Sequence, residues 1–184
     1  MSVRTEPRFT RDADLAVAVE GDDDVESLVF RLRALGYEPF AIIEHQTTGR
    51  IATVRLGHAS DDSITDLMFA STGIEAEIVA AAELLDVAPP SRLPVAITGH
   101  LIAMKLLSRA DDRPLDDADL LSLGAVATEA DWRSALEAVG LITQRGFHRG
   151  RDLAGALSEL RQRLERISQS ITVFVERPRE PGDR

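Results

Sequence analysis

The chain has no cysteine, a single lysine, one tryptophan and one tyrosine, and nowhere does it hold the roughly eighteen consecutive apolar residues that mark a membrane span. Each absence excludes something. Without cysteine there are no disulfides, no thiolate nucleophile and no cysteine-bound metal. The four histidines, His45, His58, His100 and His148, show no zinc-ligand spacing. The opening residues Met1-Ser2-Val3-Arg4-Thr5-Glu6-Pro7 contain no apolar signal core, so the expected setting is cytoplasmic, with no membrane partner. Positive charge is also scarce: 21 Lys and Arg face 31 Asp and Glu, a formal net charge of -10. Broad binding to duplex nucleic acid is therefore not expected, because phosphate neutralisation needs a positive surface. One local exception is the arginine-rich stretch holding Arg145, Arg149, Arg151, Arg161, Arg163 and Arg166. It reads either as a local basic patch or as an exposed helix face laced with ion pairs.

What is present suffices for a globular domain. At 184 residues and 44% hydrophobic composition, the chain can bury a core of its own. Arg11-Asp12-Ala13-Asp14 runs directly into Leu15-Ala16-Val17-Ala18-Val19, a strand entering the interior. Strand side chains alternate, so Asp12 and Asp14 share one face and Leu15 and Val17 the other. Two carboxylates so close repel unless a cation lies between them, and a hard divalent ion, Mg²⁺ above all, is the natural one. The bland alternative is a pair of acids capping a strand entrance.

Gly21-Asp22-Asp23-Asp24 reads as the N-cap of a helix with Val25, Leu28, Val29, Leu32 and Leu35 at helical spacing, stopped by Gly36. Strands are expected at 37–43 and 51–56, joined by a turn at Thr47-Thr48-Gly49. After a further turn, Ile64-Thr65-Asp66-Leu67-Met68-Phe69 repeats the pattern of an acid set in an apolar strand. Asp66 needs a cation, a hydrogen-bonding partner or an exposed strand end, since an unpaired buried charge is costly. If its strand lies beside the first, it joins Asp12 and Asp14.

Helix is expected over 74–85, broken by Pro89-Pro90. A short extended piece follows at 94–97, then a helix capped by Thr98 and running to about Arg109, a polar connector at 111–114, and helices near 115–123 and 130–139. A last helix over about 151–167 carries Leu153, Leu157, Leu160, Leu164 and Ile167 in steps of four and three, a seam for packing along another helix. The tail from Arg177 is expected to be disordered.

The lone lysine, Lys105, sits in the apolar run His100-Leu101-Ile102-Ala103-Met104-Lys105-Leu106-Leu107. A lysine is a compact point charge that can approach one phosphate or carboxylate oxygen; a snorkelling stem is the plain alternative. Downstream, Asp116 and Asp119 share a helix face and are candidates to hold either Lys105 or Arg113.

These blocks together resemble a known family. R-F-T-R-D-A-D-L at 8–15, T-D-L-M-F-A-S-T-G-I-E-A-E-I-V at 65–79, H-L-I-A-M-K-L-L at 100–107 and R-P-L-D-D-A-D-L at 113–120 look, in that order, like the AbiEii/AbiGii-type nucleotidyltransferases. That group of the polymerase-beta-like superfamily includes many toxins of bacterial toxin–antitoxin pairs. The resemblance implies an α/β (α+β) fold, a mixed sheet flanked by helices and followed by a helical C-terminal part. The implied organisation is a core at 1–97, helices packed on it at 98–170 and a tail at 171–184.

It also implies that Asp12 and Asp14 bind Mg²⁺ or Mn²⁺ and that Asp66 is the third carboxylate and the base for an attacking hydroxyl. Lys105, Arg113 and Asp116 would serve the nucleotide. The implied reaction is in-line attack of a hydroxyl on the α-phosphate of an NTP, expelling pyrophosphate. An antitoxin protein is the implied partner. Family members carry a Gly-Ser or Gly-Gly pair upstream of the D-x-D motif, where backbone amides cradle the phosphates. Eleven residues precede Asp12 here and none is glycine. The expectation divides accordingly: a start that lies further upstream, or a degenerate member that binds nucleotide or a protein without catalysis. A carboxylate-metal phosphoesterase is a third reading.

Overall fold

The computed structural model describes Arg4 and residues 12–58, 60–88, 90–109 and 114–175. Within them the chain runs β1 (Asp12–Ala16), α1 (Asp22–Ala34), β2 (Tyr37–Glu44), β3 (Ile51–His58), β4 (Asp61–Met68), α2 (Glu75–Ala80), β5 (Glu83–Ala88), β6 (Ser91–Val95), α3 (Thr98–Ser108), α4 (Pro114–Val126), α5 (Glu129–Gln144) and α6 (Leu153–Val175). This is the expected mixed α/β architecture. Four strands form one sheet in the order β1-β4-β3-β2, with β1 parallel to β4 and the other pairs antiparallel. No described helix is long and apolar enough to cross a membrane.

Two apolar clusters hold the molecule. The first lies between α1 and one face of the sheet, where Val25 is fully buried against Val54, Leu56, Leu67 and Phe69. The period of α1 explains this: Val25, Leu28, Val29 and Leu32 form one stripe, and all four pack into the cluster. Asp24 turns back to accept from the amides of Glu20 (3.0 Å) and Gly21 (3.4 Å), which supports the capping role expected of the triple Asp. The second, larger cluster joins α2 to α3, α4, α5 and α6 through Ile74, Ile102, Leu107, Leu123, Val139 and Ile142. Leu153, Leu157 and Leu160 of the α6 seam are buried in it, Leu164 packs at its margin and Ile167 lies outside. Ala16, at the end of β1, touches this cluster, so the sheet face opposite α1 leads toward the helices.

Three local expectations are corrected. The helix expected over 74–85 is only α2, ending at Ala80, and Glu83–Ala88 is instead strand β5, paired antiparallel with β6. Tertiary contacts override the helical composition: Arg4 bonds Glu83 at 2.8 Å and the carbonyls of Val95 and Ala96, clasping the open end of the hairpin. Thr98 does not cap α3; the cap position is Ile97, with no side-chain bond. Helix α6 runs on to Val175, past the helix end expected near Ile167; residues 176–184, like most of the 111–114 connector, lie outside the described residues.

The loop after β4 is latched to the end of α5. Arg145 donates to both carboxylate oxygens of Glu77, at 2.7 and 3.1 Å, and to the carbonyl of Gly73, while Arg149 donates to the carbonyl of Ser71. The Arg145 hydrogen bond, opposed by burial, holds the Glu77 carboxyl below its ordinary value of 4.5. Between that lowered value and 4.5 the unfolded chain binds the extra proton, so the contribution is present above 4.5 and is lost as pH falls through the folded value. Urea midpoints of the wild type should accordingly fall more steeply below pH 4.5 than those of Glu77→Gln. Both side chains are more than a third exposed, so the difference should be small; equal slopes would show that the latch contributes nothing.

Candidate functional site

The site is built on the pairing of the two acid-bearing strands. In the parallel ladder Asp14 stands beside Asp66 and Asp12 beside Ile64. Register partners share a sheet face, so Asp14 and Asp66 project together from the face opposite α1. Leu67, next to Asp66, points the other way into the α1 cluster. Alternation of one buried apolar and one outward acid along β4 is what places the carboxylate here.

Asp66 is not left unpaired. Arg55, opposite it on β3, donates from Nε to Oδ1 at 2.7 Å and from Nη2 to Oδ2 at 2.6 Å. The carboxylate is 13% exposed and the arginine 41%, so the cation covers the acid from the solvent side. Of the three ways open to Asp66, a cation, a hydrogen-bonding partner or an exposed strand end, Arg55 supplies the first two, and nothing in the sequence singles it out.

Three carboxylates on adjoining strands are an all-oxygen donor set, which suits a hard divalent cation. Asp14 and Asp66 fit such an ion by register, and Arg55 is the element that stands against it. Among the described residues no three His, Asp or Glu groups converge as a metal cluster, and the side chain of Asp12 is not one of those described.

The second group of candidates gathers on the helices. Lys105 Nζ lies 2.9 Å from Asp116 Oδ1 and 2.9 Å from Asp119 Oδ2, joining α3 to α4. Lys105 is 22% exposed and its partners 11% and 8%. Burial alone would lower the lysine's pKa, but the hydrogen bonds and charges of Asp119 and Asp116 outweigh it and hold the ammonium above the ordinary 10.5. Among the described residues two of its three N–H donors have partners. Arg113 lies outside the described residues.

The arginine-rich C-terminal stretch is largely engaged within the molecule. Besides Arg145 and Arg149 in the loop latch, Arg151 donates to the Arg109 carbonyl, and Arg161 pairs with Glu129 at 2.6 Å and stacks over Trp132. Arg163 and Arg109 share Asp117, at 3.5 and 3.1 Å. These two arginines and Arg166 line a cleft of about 390 Å³ between α3, α4 and α6. The ion-pair reading describes half of the six arginines, Arg145, Arg161 and Arg163, while Arg149 and Arg151 are held by backbone carbonyls.

No protein-family model matches the chain, and no curated protein matches it. A solved structure, that of JHP933 from Helicobacter pylori, is similar over 92% of this chain and 83% of its own, at 17% identity and a TM-score of 0.33, a superposition too loose to relate the two folds.

Proposed function

We propose that this protein is a metal-dependent nucleotidyltransferase that moves a nucleoside monophosphate from an NTP to a hydroxyl acceptor on RNA, protein or a small molecule. The observation that carries the reading is the parallel β1–β4 pairing, which sets Asp14 beside Asp66 on one sheet face, with Asp12 two residues away. Asp12, Asp14 and Asp66 would hold Mg²⁺ or Mn²⁺, which when bound supplies charge neutralisation to the triphosphate and lowers the pKa of an attacking hydroxyl. On this reading the Asp66 carboxylate would act as the base that takes that hydroxyl's proton. Lys105, anchored by Asp116 and Asp119, would offer its third N–H to a phosphate oxygen. The motif resemblance suggests a toxin held in check by an antitoxin protein as the biological setting, and the arginine-lined cleft is the surface to examine for an RNA acceptor.

Full-length protein incubated with Mg²⁺ or Mn²⁺, labelled NTPs and cell extract should transfer label and release pyrophosphate. Asp14→Asn should lower that rate about a hundredfold, the scale of losing one main electrostatic contributor to a transition state. Absence of transfer with either metal, or an Asp14→Asn variant as active as the wild type, would overturn the assignment.

The bidentate Arg55–Asp66 pair favours a second reading, a protein that keeps the fold and binds nucleotide or a partner protein without catalysis. Calorimetry with Mg²⁺ and NTP separates the two, because binding alone gives heat without pyrophosphate.

A further inference from the structure

A guanidinium and a divalent cation compete for the same two oxygens of Asp66. The planar fork of Arg55 meets both carboxylate oxygens at once, at 2.7 and 2.6 Å, the strongest geometry available to an arginine–carboxylate pair. A Mg²⁺ ion needs its oxygen ligand at about 2.0–2.1 Å and tolerates little departure from octahedral geometry. One lone pair on each oxygen already serves an N–H donor, and the delocalised positive charge lying against both oxygens repels an incoming dication and weakens its hold on the carboxylate. The pair is also sheltered, with Asp66 13% exposed, so the attraction is less screened than at an open surface. Arg55 itself is 41% exposed, and its long stem gives the head room to leave.

We propose that Arg55 is a built-in counter-cation of the carboxylate row, occupying Asp66 until metal and nucleotide displace it together. The inference rests on the nucleotidyltransferase reading of the same row. It makes Arg55 a positioning residue whose contact with Asp66 opposes metal binding in the absence of nucleotide. Once displaced, its guanidinium has the charge and shape to take triphosphate oxygens. Nucleotide should therefore ease the displacement and tighten metal binding, and by reciprocity metal should tighten nucleotide binding. Lysine at this position would hold one oxygen in place of two and compete less well.

The test is a Mn²⁺ titration of the full chain, following free Mn²⁺ by electron paramagnetic resonance, with and without a non-hydrolysable NTP. Arg55→Gln should bind Mn²⁺ at least tenfold more tightly than the wild type without nucleotide, and nucleotide should tighten it less. Arg55→Lys should fall between them. Adding Asp66→Asn to Arg55→Gln should remove the gain. If Arg55→Gln binds Mn²⁺ no better than the wild type, the counter-cation role is overturned and the transferase reading stands. If neither chain binds Mn²⁺, with or without nucleotide, both are overturned. Circular dichroism reports whether Arg55→Gln folds. If it does not, Arg55→Lys decides, and an affinity unchanged from the wild type overturns the role.

Discussion

Lys105→Met should lower the thermal midpoint by roughly 10 °C, the largest single-residue effect expected on this fold. The substitution keeps most of the apolar stem and removes only the ammonium. What remains is two carboxylates, Asp116 and Asp119, 11% and 8% exposed, each of which had stood 2.9 Å from the lost charge. Breaking a buried ion pair from one side typically costs about 3 to 5 kcal/mol, because the surviving charge keeps its desolvation and loses its compensation. Neutralising the acids as well, in Lys105→Met with Asp116→Asn and Asp119→Asn, should recover much of the loss. The pH dependence has a defined sign. A folded-state pKa raised above 10.5 means the contribution is complete below 10.5 and disappears as pH rises through the folded value. The wild type should therefore lose stability on that alkaline limb, and Lys105→Met should not. A melting curve unchanged in Lys105→Met would show that the lysine is no structural anchor and is kept only for a ligand.

Gly99→Val should cost about 3 kcal/mol or more, a fall of roughly 6–12 °C in the midpoint. Gly99 lies in the first turn of α3, where that helix crosses the start of α5. A Cβ there would sit 2.8 Å from Ser134 Cβ and 2.9 Å from the Ala135 amide nitrogen, and closer still to the Asp131 carbonyl. Two of those three neighbours are backbone, so no side chain can rotate away to relieve the overlap. The helices would have to separate, opening the cluster around Ile102, Ala135 and Val139, which are essentially inaccessible to solvent. Gly99→Ala is the finer measurement: helix propensity alone favours it by about 1 kcal/mol, so a net loss measures the clash directly. A stabilised Gly99→Ala protein would mean that α3 and α5 approach less closely than described.

Much of this arrangement was legible in the residues because it is local. The stripe from Val25 to Leu32 makes α1, the acid-in-strand pattern around Asp14 and Asp66 makes outward carboxylates, and the oddity of Lys105 pointed to Asp116 and Asp119, three apart on one face. What could not be read depends on partners distant in sequence. The neighbour relation of β1 and β4 is parallel and spans α1, β2 and β3, so no turn announces it.

Arg55 was missed for a subtler reason. Its strand turns back tightly, pairing His58 with Asp61, and a plain continuation of that ladder would set Arg55 against Ile64. A bulge between Gly57 and His58 moves the pairing two residues along, to Asp66. The start of β5 in the β5–β6 hairpin, Glu83 to Leu85, reads as the end of a helix because its composition is as compatible with one as with a strand. The clasp of Arg4 on Glu83 and on the carbonyls of Val95 and Ala96, which composition does not reveal, helps close the pair.

The position of β1 also governs the order in which the molecule assembles. β2, β3 and β4 form a meander whose contacts close over short loops, whereas β1 joins only by docking beside a strand made some fifty residues later, a step with a larger loop-closure penalty. The carboxylates of β1 should thus reach those of β4 late in folding, and five residues at a sheet edge should open before the rest of the sheet does. Hydrogen exchange at the Leu15 and Val17 amides should be faster than at Val54 and Leu56. Until β1 docks, the strand that brings Asp14 to Asp66 is the part of the fold most easily lost.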